Sequence, residues 1–338
     1  MRLLDVIAQS RNPFLVQPDA SGARPMVLSG PSDFARQIAD CPLRFVMADD
    51  LTRASAELAF AEGDRLADCL DLLRIPASLL WVEWNDAVHQ QVIYQCGAVA
   101  QTDPCASGRR VGVLLQAADG GRSGIARTFW SVANAAEACE AILSPLEIHI
   151  DLDKRFGCTP DITGMLSGQY AGFTDNRDPG VAELLTRVRF RFDAKWLNYY
   201  ALAARESATR DRVARESLAA VSCDIPLLLA FFLLLNAKGA TRPVPIQRHQ
   251  LNLKRSARNR SPLLDHVEVH ACLSASSPIE STLSDGLRTR RPSRLHHVRG
   301  HLVRREDRIF WRVPHLRGSA AQGVVRSRTV CLSFAHSG

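Results

Sequence analysis

Residues 79–84 read Leu-Leu-Trp-Val-Glu-Trp, a short, bulky and aromatic run that favours a β-strand. Ile75 and Pro76 stand shortly before it, and a proline cannot supply the backbone donor that a continuing helix needs. The helix formers from Asp49 to Arg74 therefore predict a helix that ends at this proline, with an acidic pair in its first turn. A helix followed closely by a strand is the centre of the predicted fold.

Four further segments have the strand pattern, at 91–98, 110–116, 125–132 and 146–152. A helical stretch at 133–143 interrupts them, which favours an α+β architecture over regular β-α-β alternation. Residues 181–237 are expected to be helical in about three pieces, with breaks near 207–209 and 224–226.

The most apolar run, Ile225–Leu235, has 11 residues, whereas a membrane-spanning helix needs about 20. It is expected to be a buried core helix, and we expect no membrane partner. Residues 1–5 lack the pattern of a signal peptide. The nine cysteines include no Cys-x-x-Cys pair, so a cytoplasmic protein is expected.

Four regions are predicted along the 338 residues. Gly239, Pro243 and Pro245 mark the boundary after the helical middle, because they prevent that helix from continuing. The predicted regions are an irregular N-terminal arm (1–48), an α+β body (49–238), a linker and basic segment (239–294) and a small basic β module (295–338).

Positive charge is concentrated near the C-terminus. From Arg242 to Arg328 there are 18 Arg or Lys residues against 6 Asp or Glu, whereas the whole chain has a net charge of +7. Such a regional excess is typical of a segment that meets a polyanion, so DNA or RNA is the expected partner.

Two strands in this region alternate in the same register. His296–Arg305 and Arg308–His315 form a hairpin if they are joined through residues 306 and 307, and Leu302 then faces Trp311. A slip of one residue would place the apolar set of one strand opposite the polar set of the other. In the same register Gly300 faces Val313, so the apolar faces of the two strands coincide.

The opposite face of this hairpin would be basic, with one aromatic ring that could stack on a base. Its members are Arg299, His301, Val303, Arg305, Arg308, Phe310 and Arg312, and Arg317 extends the predicted nucleic-acid-binding set. The alternative is a solvated face, since charges on an exposed strand also discourage edge-to-edge aggregation.

An enzymatic hypothesis rests on carboxylates at a strand end. Asp151 and Asp153 close a predicted strand and could hold Mg²⁺ for phosphodiester hydrolysis, with Glu83 or Asp86 as a third ligand. Carboxylates at such a place also commonly begin a turn. No cofactor is expected outside this magnesium-dependent nuclease alternative.

Histidines offer a second catalytic hypothesis, and eight of the ten lie after residue 248. His301 or His315 could act as the general base of a metal-independent ribonuclease. No pair of them has the spacing of a closed zinc site. Whether the chain is an enzyme therefore stays open at this level.

Several short motifs occur together along the chain, namely Ile75-Pro76, Trp81-Val82-Glu83-Trp84, Leu233–Lys238, Pro262–His266, Arg294–His301 and Pro314–Gly318. As a set they resemble a group of uncharacterised proteins encoded by bacteriophages and prophages of proteobacteria. The resemblance spans roughly residues 66–330 and implies a phage-linked protein in the cytoplasm of a bacterial host. A virion or assembly component is a further alternative.

Overall fold

The structure is a computed structural model, and it describes residues 2–9, 14–16, 26–29, 31–100, 107–131, 141–157, 162–172, 179–194, 207–272, 294–298, 301–306, 308–312, 315–317 and 319–324. Helices in these ranges are α1 Leu3–Gln9, α2 Pro31–Asp40, α3 Asp49–Phe60, α4 Gly63–Ala67, α5 Asp86–Gln95, α6 Ile162–Leu166, α7 Pro179–Leu185, α8 Ser207–Ser222, α9 Asp224–Asn236 and α10 His249–Ser256. Strands are β1 Phe14–Val16, β2 Met26–Ser29, β3 Leu43–Met47, β4 Leu79–Asn85, β5 Arg110–Ala118, β6 Ser123–Ser131, β7 Ala141–Asp151, β8 Val188–Phe192, β9 Thr241–Ile246, β10 His266–Ala271, β11 Arg294–Val298, β12 His301–Arg305, β13 Arg308–Arg312, β14 His315–Arg317 and β15 Ser319–Val324.

A mixed sheet of eight strands organises the first of two compact units, which comprises residues 1–236 and 241–271. The strand order is β8-β7-β6-β5-β4-β3-β10-β9. Each pair of neighbours from β4 to β8 is antiparallel, whereas β3 is parallel to both of its neighbours, β10 and β4. The predicted α+β class is confirmed.

The core on one side of the sheet is built around α9. Residues from Ile225 to Leu234 are buried, and Phe231 packs edge-on against Phe45 of β3 at 5.7 Å between ring centroids. Within the described chain, one helical stretch, 217–236, is long and apolar enough to cross a membrane, and 78% of its most apolar window is buried inside the protein. Such burial is typical of a core helix.

The other side of the sheet carries α1 and the indole of Trp81. Gly112 on β5 allows this packing, because a Cβ at that position would lie 2.2 Å from the Trp81 ring. Trp81 is fully buried and contacts Phe129 of β6. A glycine inside a strand here marks the close approach of a neighbouring ring rather than a weak strand.

The predicted helix over 49–74 is present in three pieces. The helix is interrupted after α3, resumes as α4 at Gly63, and is followed by a 3₁₀ turn at 70–72. Strand β4 follows as predicted, and β5, β6 and β7 correspond to three of the four further predicted strands.

Other predicted elements are wrong. Residues 91–95, predicted as strand, belong to α5, which begins where the Asn85 side chain accepts a hydrogen bond from the backbone N–H of Ala87. Residues 188–192, predicted as helix, form β8. Of the helix predicted over 133–143, the part up to 140 lies outside the described residues, and 141–143 belong to β7.

The region boundaries also differ from the prediction. The segment predicted as an irregular arm (1–48) contributes α1, α2 and the sheet strand β3. The segment predicted as a linker contributes β9 and β10, which pair along their full length. Residues 237–240 and 272–338 form the second unit, so the chain leaves the first unit at 237, returns at 241 and leaves again at 272.

The second unit contains two small sheets among its described residues. Strand β11 lies between β14, which is antiparallel to it, and β15, which is parallel. Strands β12 and β13 form a separate antiparallel hairpin.

Candidate nucleic-acid interface and polar sites of the body

The predicted hairpin is present in the predicted register. Leu302 pairs with Trp311, Val303 with Phe310, and the chain reverses beside Glu306, whose φ of 52° is left-handed. The expected pair of Gly300 and Val313 lies outside the described residues. The alternating pattern therefore fixed the pairing of the two strands correctly.

The extent of the predicted strands is wrong. The first predicted strand, 296–305, is divided between β11 and β12, which belong to different sheets. His315 and Arg317 lie on β14, paired with β11, and not on the hairpin. Arg299 lies outside the described residues, and for His301, His315 and Arg317 the description covers only the backbone.

One face of the hairpin presents guanidinium groups around an aromatic ring. Arg305, Arg308 and Arg312 are exposed, and Phe310 between them is half-buried. The Arg305 guanidinium lies 5.5 Å from the centre of the Phe310 ring, a cation–π distance. Within the described residues, neither Arg305 nor Arg312 is in an ion pair.

The other face of the hairpin is its packing face. Ile309 is buried, and Leu302 and Trp311 are half-buried. Arg304 is exposed and pairs with Ile309, so it does not belong to the face that carries Arg305.

A lysine far away in the sequence joins the basic face. Residues 237–240 run beside β13, where the Lys238 backbone accepts from the N–H of Trp311 and donates to the carbonyl of Ile309. Lys238 forms a parallel bridge with Phe310, and its side chain is exposed. Paired residues on neighbouring strands project to the same face, so Lys238 extends the basic face. No local signal in the sequence links it to the hairpin.

The three carboxylates of the nuclease hypothesis do not meet. Glu83 is on β4 and Asp151 ends β7, and two strands separate them, which is about 14 Å at the usual spacing. Strand pairing places Glu83 level with Leu143, so Asp151 is also displaced by on the order of 25 Å along the strands. Among the described residues, no group of three or more His, Cys, Asp or Glu side chains is arranged so that it could hold a metal ion.

Glu83 has a structural role. It is fully buried, and its carboxylate accepts from the backbone N–H groups of Leu3 and Leu4 at 2.9 and 3.0 Å. It also pairs with Arg110 and accepts from the indole N–H of Trp81. These four partners fix α1 on the sheet and leave Glu83 no open side toward solvent.

Asp151 and Asp153 form a turn. The Asp151 carboxylate accepts from the backbone N–H of Asp153 at 3.2 Å and pairs with Lys154 at 3.1 Å. Asp153 is exposed, and the hydrogen bond from Arg122 lowers the pKa of its carboxyl. The turn interpretation of this pair is therefore the one that the contacts support.

A polar pocket of about 520 Å³ lies at the carboxyl ends of the parallel strands β10, β3 and β4. His270 stands between two carboxylates, 3.8 Å from Asp50 and 3.5 Å from Glu268. Arg2 pairs with Glu268 at 3.0 Å, and Arg110 has a buried Nη2 without a hydrogen-bond partner. Crevices at this end of parallel strands commonly bind ligands. This pocket brings together residues 2, 50, 110, 268 and 270, which no sequence pattern linked.

A second polar cluster is sealed inside the first unit. His89 is fully buried and lies 3.9 Å from Asp86 and 3.8 Å from Asp224. Burial lowers the pKa of His89 to about 4 and raises the pKa of Asp224 well above its ordinary value. His89 is therefore neutral at pH 7, and its two contacts are not ion pairs. Asp86, a candidate third magnesium ligand, is buried and pairs instead with Arg109.

No protein-family model, curated protein or solved structure matches this chain.

Proposed function

We propose that this protein binds nucleic acid, DNA or RNA, through the basic face of the hairpin, defined as Lys238, Arg305, Arg308, Phe310 and Arg312. The observation that supports the proposal is the exposure of four cationic side chains around one aromatic ring on a single face. Lysine and arginine neutralise backbone phosphates and release counterions. Phe310 adds a surface on which a base can stack, worth roughly 1–3 kcal/mol.

Regional charge supports the same proposal. The second unit has 13 Arg or Lys residues against 4 Asp or Glu, a net charge of +9, which leaves −2 for the first unit. A field of one sign attracts a polyanion and speeds its association. The magnesium-dependent nuclease alternative has no comparable support, because its carboxylates are far apart and engaged with other groups. Among the described residues, no contact favours a virion component over a nucleic-acid-binding protein in a bacterial cytoplasm.

The test is a salt titration of binding to single- and double-stranded DNA and RNA oligonucleotides, measured by fluorescence anisotropy. The double variant Arg305→Gln/Arg312→Gln is expected to bind more weakly. For duplex DNA the slope of log K against log salt should fall by roughly 1.8, since each phosphate contact contributes about 0.9. Adding Lys238→Gln should lower it by about 0.9 more.

The matched control is Arg36→Gln/Arg65→Gln, which removes the same charge from exposed arginines of the first unit. It is expected to leave the slope unchanged. Equal slopes for the wild type and the hairpin variant would rule out the basic face as the phosphate contact.

A further inference from the structure

The segment around helix α10 is strongly basic, although it belongs to the first unit. Residues 241–264 carry six Arg or Lys residues, and no acidic residue occurs between Asp224 and Asp265. Since the first unit as a whole has a net charge of −2, the rest of that unit has −8. A positive segment thus interrupts an otherwise net-negative unit.

Helix α10 ends in a well-defined turn. Asn259, three residues beyond the helix, has a left-handed φ of 52°. The backbone N–H of Arg260 donates to the carbonyl of Arg255 at 2.9 Å, and the N–H of Asn259 donates to that of Ser256 at 3.0 Å. These two bonds form the Schellman motif that closes many helices. The motif fixes the backbone from which Arg258 and Arg260 project.

One side of α10 is bound to other parts of the first unit. The side-chain amide of Asn252 donates to the carbonyl of Leu263 at 2.9 Å and accepts from its N–H at 2.8 Å. Arg255 donates to the carbonyl of Ser261 at 2.7 Å and to the Gln9 side chain at 3.2 Å. Because Asn252 and Arg255 are three residues apart, they share the side of the helix that faces the protein.

Another side of α10 presents cations next to an apolar side chain. Leu251, Lys254 and Arg258 recur at i, i+3 and i+7, which places them along one side of the helix and its last turn. All three are exposed, and so is Arg260. Among the described residues, Lys254, Arg258 and Arg260 form no ion pair. Their charges are therefore not neutralised by the protein.

The exposed leucines of α10 argue against a membrane as the partner of these cations. Leu251 is 41% exposed and Leu253 is 55% exposed. They are two residues apart, and residues at that spacing do not face the same way on a helix. Helix α10 therefore lacks the continuous apolar face with which an amphipathic helix enters a membrane surface.

We propose that the α10 surface, defined as Lys254, Arg258 and Arg260, binds the phosphate backbone of a nucleic acid. Exposed lysine and arginine neutralise phosphates and release their counterions. Leu251 beside them offers an apolar contact to base edges. The α10 surface is a second contact, distinct from the basic face of the hairpin. The identity of the partner rests on the proposed function, whereas the charge and exposure of the surface do not.

Lysine acetylation provides a local test, because the chain has only four lysines. The full chain is acetylated briefly, alone and with single- or double-stranded DNA or RNA oligonucleotides, and each lysine is quantified by mass spectrometry. Lys254 is expected to lose most of its labelling when nucleic acid is bound, since a lysine at a phosphate is shielded from the reagent. Lys154 is the internal control, because its side chain is 71% exposed and pairs with Asp151. Its labelling should not change.

Lys238 reports on the basic face of the hairpin in the same samples. Protection of Lys238 without Lys254 would overturn the α10 surface and support the proposed function. Protection of Lys254 without Lys238 would do the reverse. Protection of neither by any oligonucleotide would overturn both. The fourth lysine, Lys195, lies outside the described residues.

A charge variant tests whether the contact contributes to binding. For duplex DNA, Lys254→Gln/Arg258→Gln should lower the slope of log K against log salt by roughly 1.8, since two phosphate contacts are lost. Combined with Arg305→Gln/Arg312→Gln, the fall should be about 3.6, because the two surfaces contribute separately. Arg36→Gln/Arg65→Gln is again the matched control and should leave the slope unchanged. Circular dichroism checks that each variant folds.

Two results would overturn the α10 surface even if Lys254 is protected or the protein binds nucleic acid well. One is a slope for Lys254→Gln/Arg258→Gln equal to that of the wild type. The other is protection of Lys254 by vesicles that contain an anionic phospholipid, but not by any oligonucleotide, which would assign the cations to a membrane surface.

Discussion

Arginines of the two units meet opposite surroundings. In the first unit, Arg110 pairs with buried Glu83, and Arg191 with Glu147, in contacts that connect strands to one another and to a helix. On the hairpin of the second unit, Arg305 and Arg312 face solvent. The same residue type therefore stabilises the fold in one unit and is exposed in the other, and the difference lies in where the carboxylates are.

The largest expected effect on stability comes from replacing a buried carboxylate of the first unit. Glu83→Gln should destabilise the protein by about 3–5 kcal/mol, since Arg110 would keep a partly buried charge without its partner. Denaturant unfolding measures the change. Asp153→Asn is the matched control, because its ion pair with Arg122 is solvent-exposed on the aspartate side, and it should cost below about 1 kcal/mol.

Equal losses of stability in Glu83→Gln and Asp153→Asn would contradict the contrast between a structural and a surface carboxylate. The pair also bears on the nuclease alternative, in which both substitutions would abolish a magnesium-dependent cleavage.

The next largest effect is the pH dependence of stability that the buried His89 causes. Its pKa of about 4 in the folded state lies below the value near 6.5 expected for the unfolded chain. Between these values the unfolded state binds the extra proton, so stability falls as the pH is lowered from about 6.5 to 4. The expected loss is about 2–3 kcal/mol by pH 4.5.

His89→Gln should remove this component. We expect the difference in unfolding free energy between wild type and variant to shrink by that amount from pH 7 to pH 4.5. Asp224, whose raised pKa acts in the opposite direction, is present in both proteins. A difference that stays constant with pH would mean that the pKa of His89 is the same in the folded and the unfolded state.

The smallest expected effect belongs to the hairpin. Arg305→Gln/Arg312→Gln should change stability by less than about 0.5 kcal/mol, because exposed side chains away from structural contacts contribute little. Hydrogen exchange of the β12 and β13 amides measures this locally. Ile309→Ala, on the buried face of the same hairpin, should cost about 2 kcal/mol or more. A large loss from the arginine variant would assign these side chains a structural role.

Local patterns predicted the parts of the fold that depend on local chemistry. The proline stop at 76, strand β4 and the apolar helix α9 follow from neighbouring residues, and so does the register of β12 with β13. The pattern failed at α5, where a side-chain cap at Asn85 prevailed over strand-like alternation, and at β8, whose sheet partner β7 lies about 40 residues earlier.

In the candidate sites too, residues placed by a local pattern were predicted, whereas residues placed by long-range contacts were missed. Phe310 and its neighbouring arginines were found from alternation, because a strand places every second residue on one face. Lys238 was missed, since only the return of the chain beside β13 brings it there. Glu83 was grouped with Asp151 and Asp153 because all three are carboxylates in or next to predicted strands, but Glu83 lies on β4, whereas the other two lie at the end of β7.

By itself, the sequence determined the secondary-structure pattern around β4, the burial of α9, the concentration of positive charge after residue 241 and the pairing of the hairpin. These depend on periodicity, hydrophobicity and charge, which are properties of neighbouring residues. The tertiary structure alone decided which charges are neutralised. Whether an arginine meets a carboxylate depends on strand order and register over long separations, as the contacts of Arg110 with Glu83 and of Arg189 with His149 illustrate.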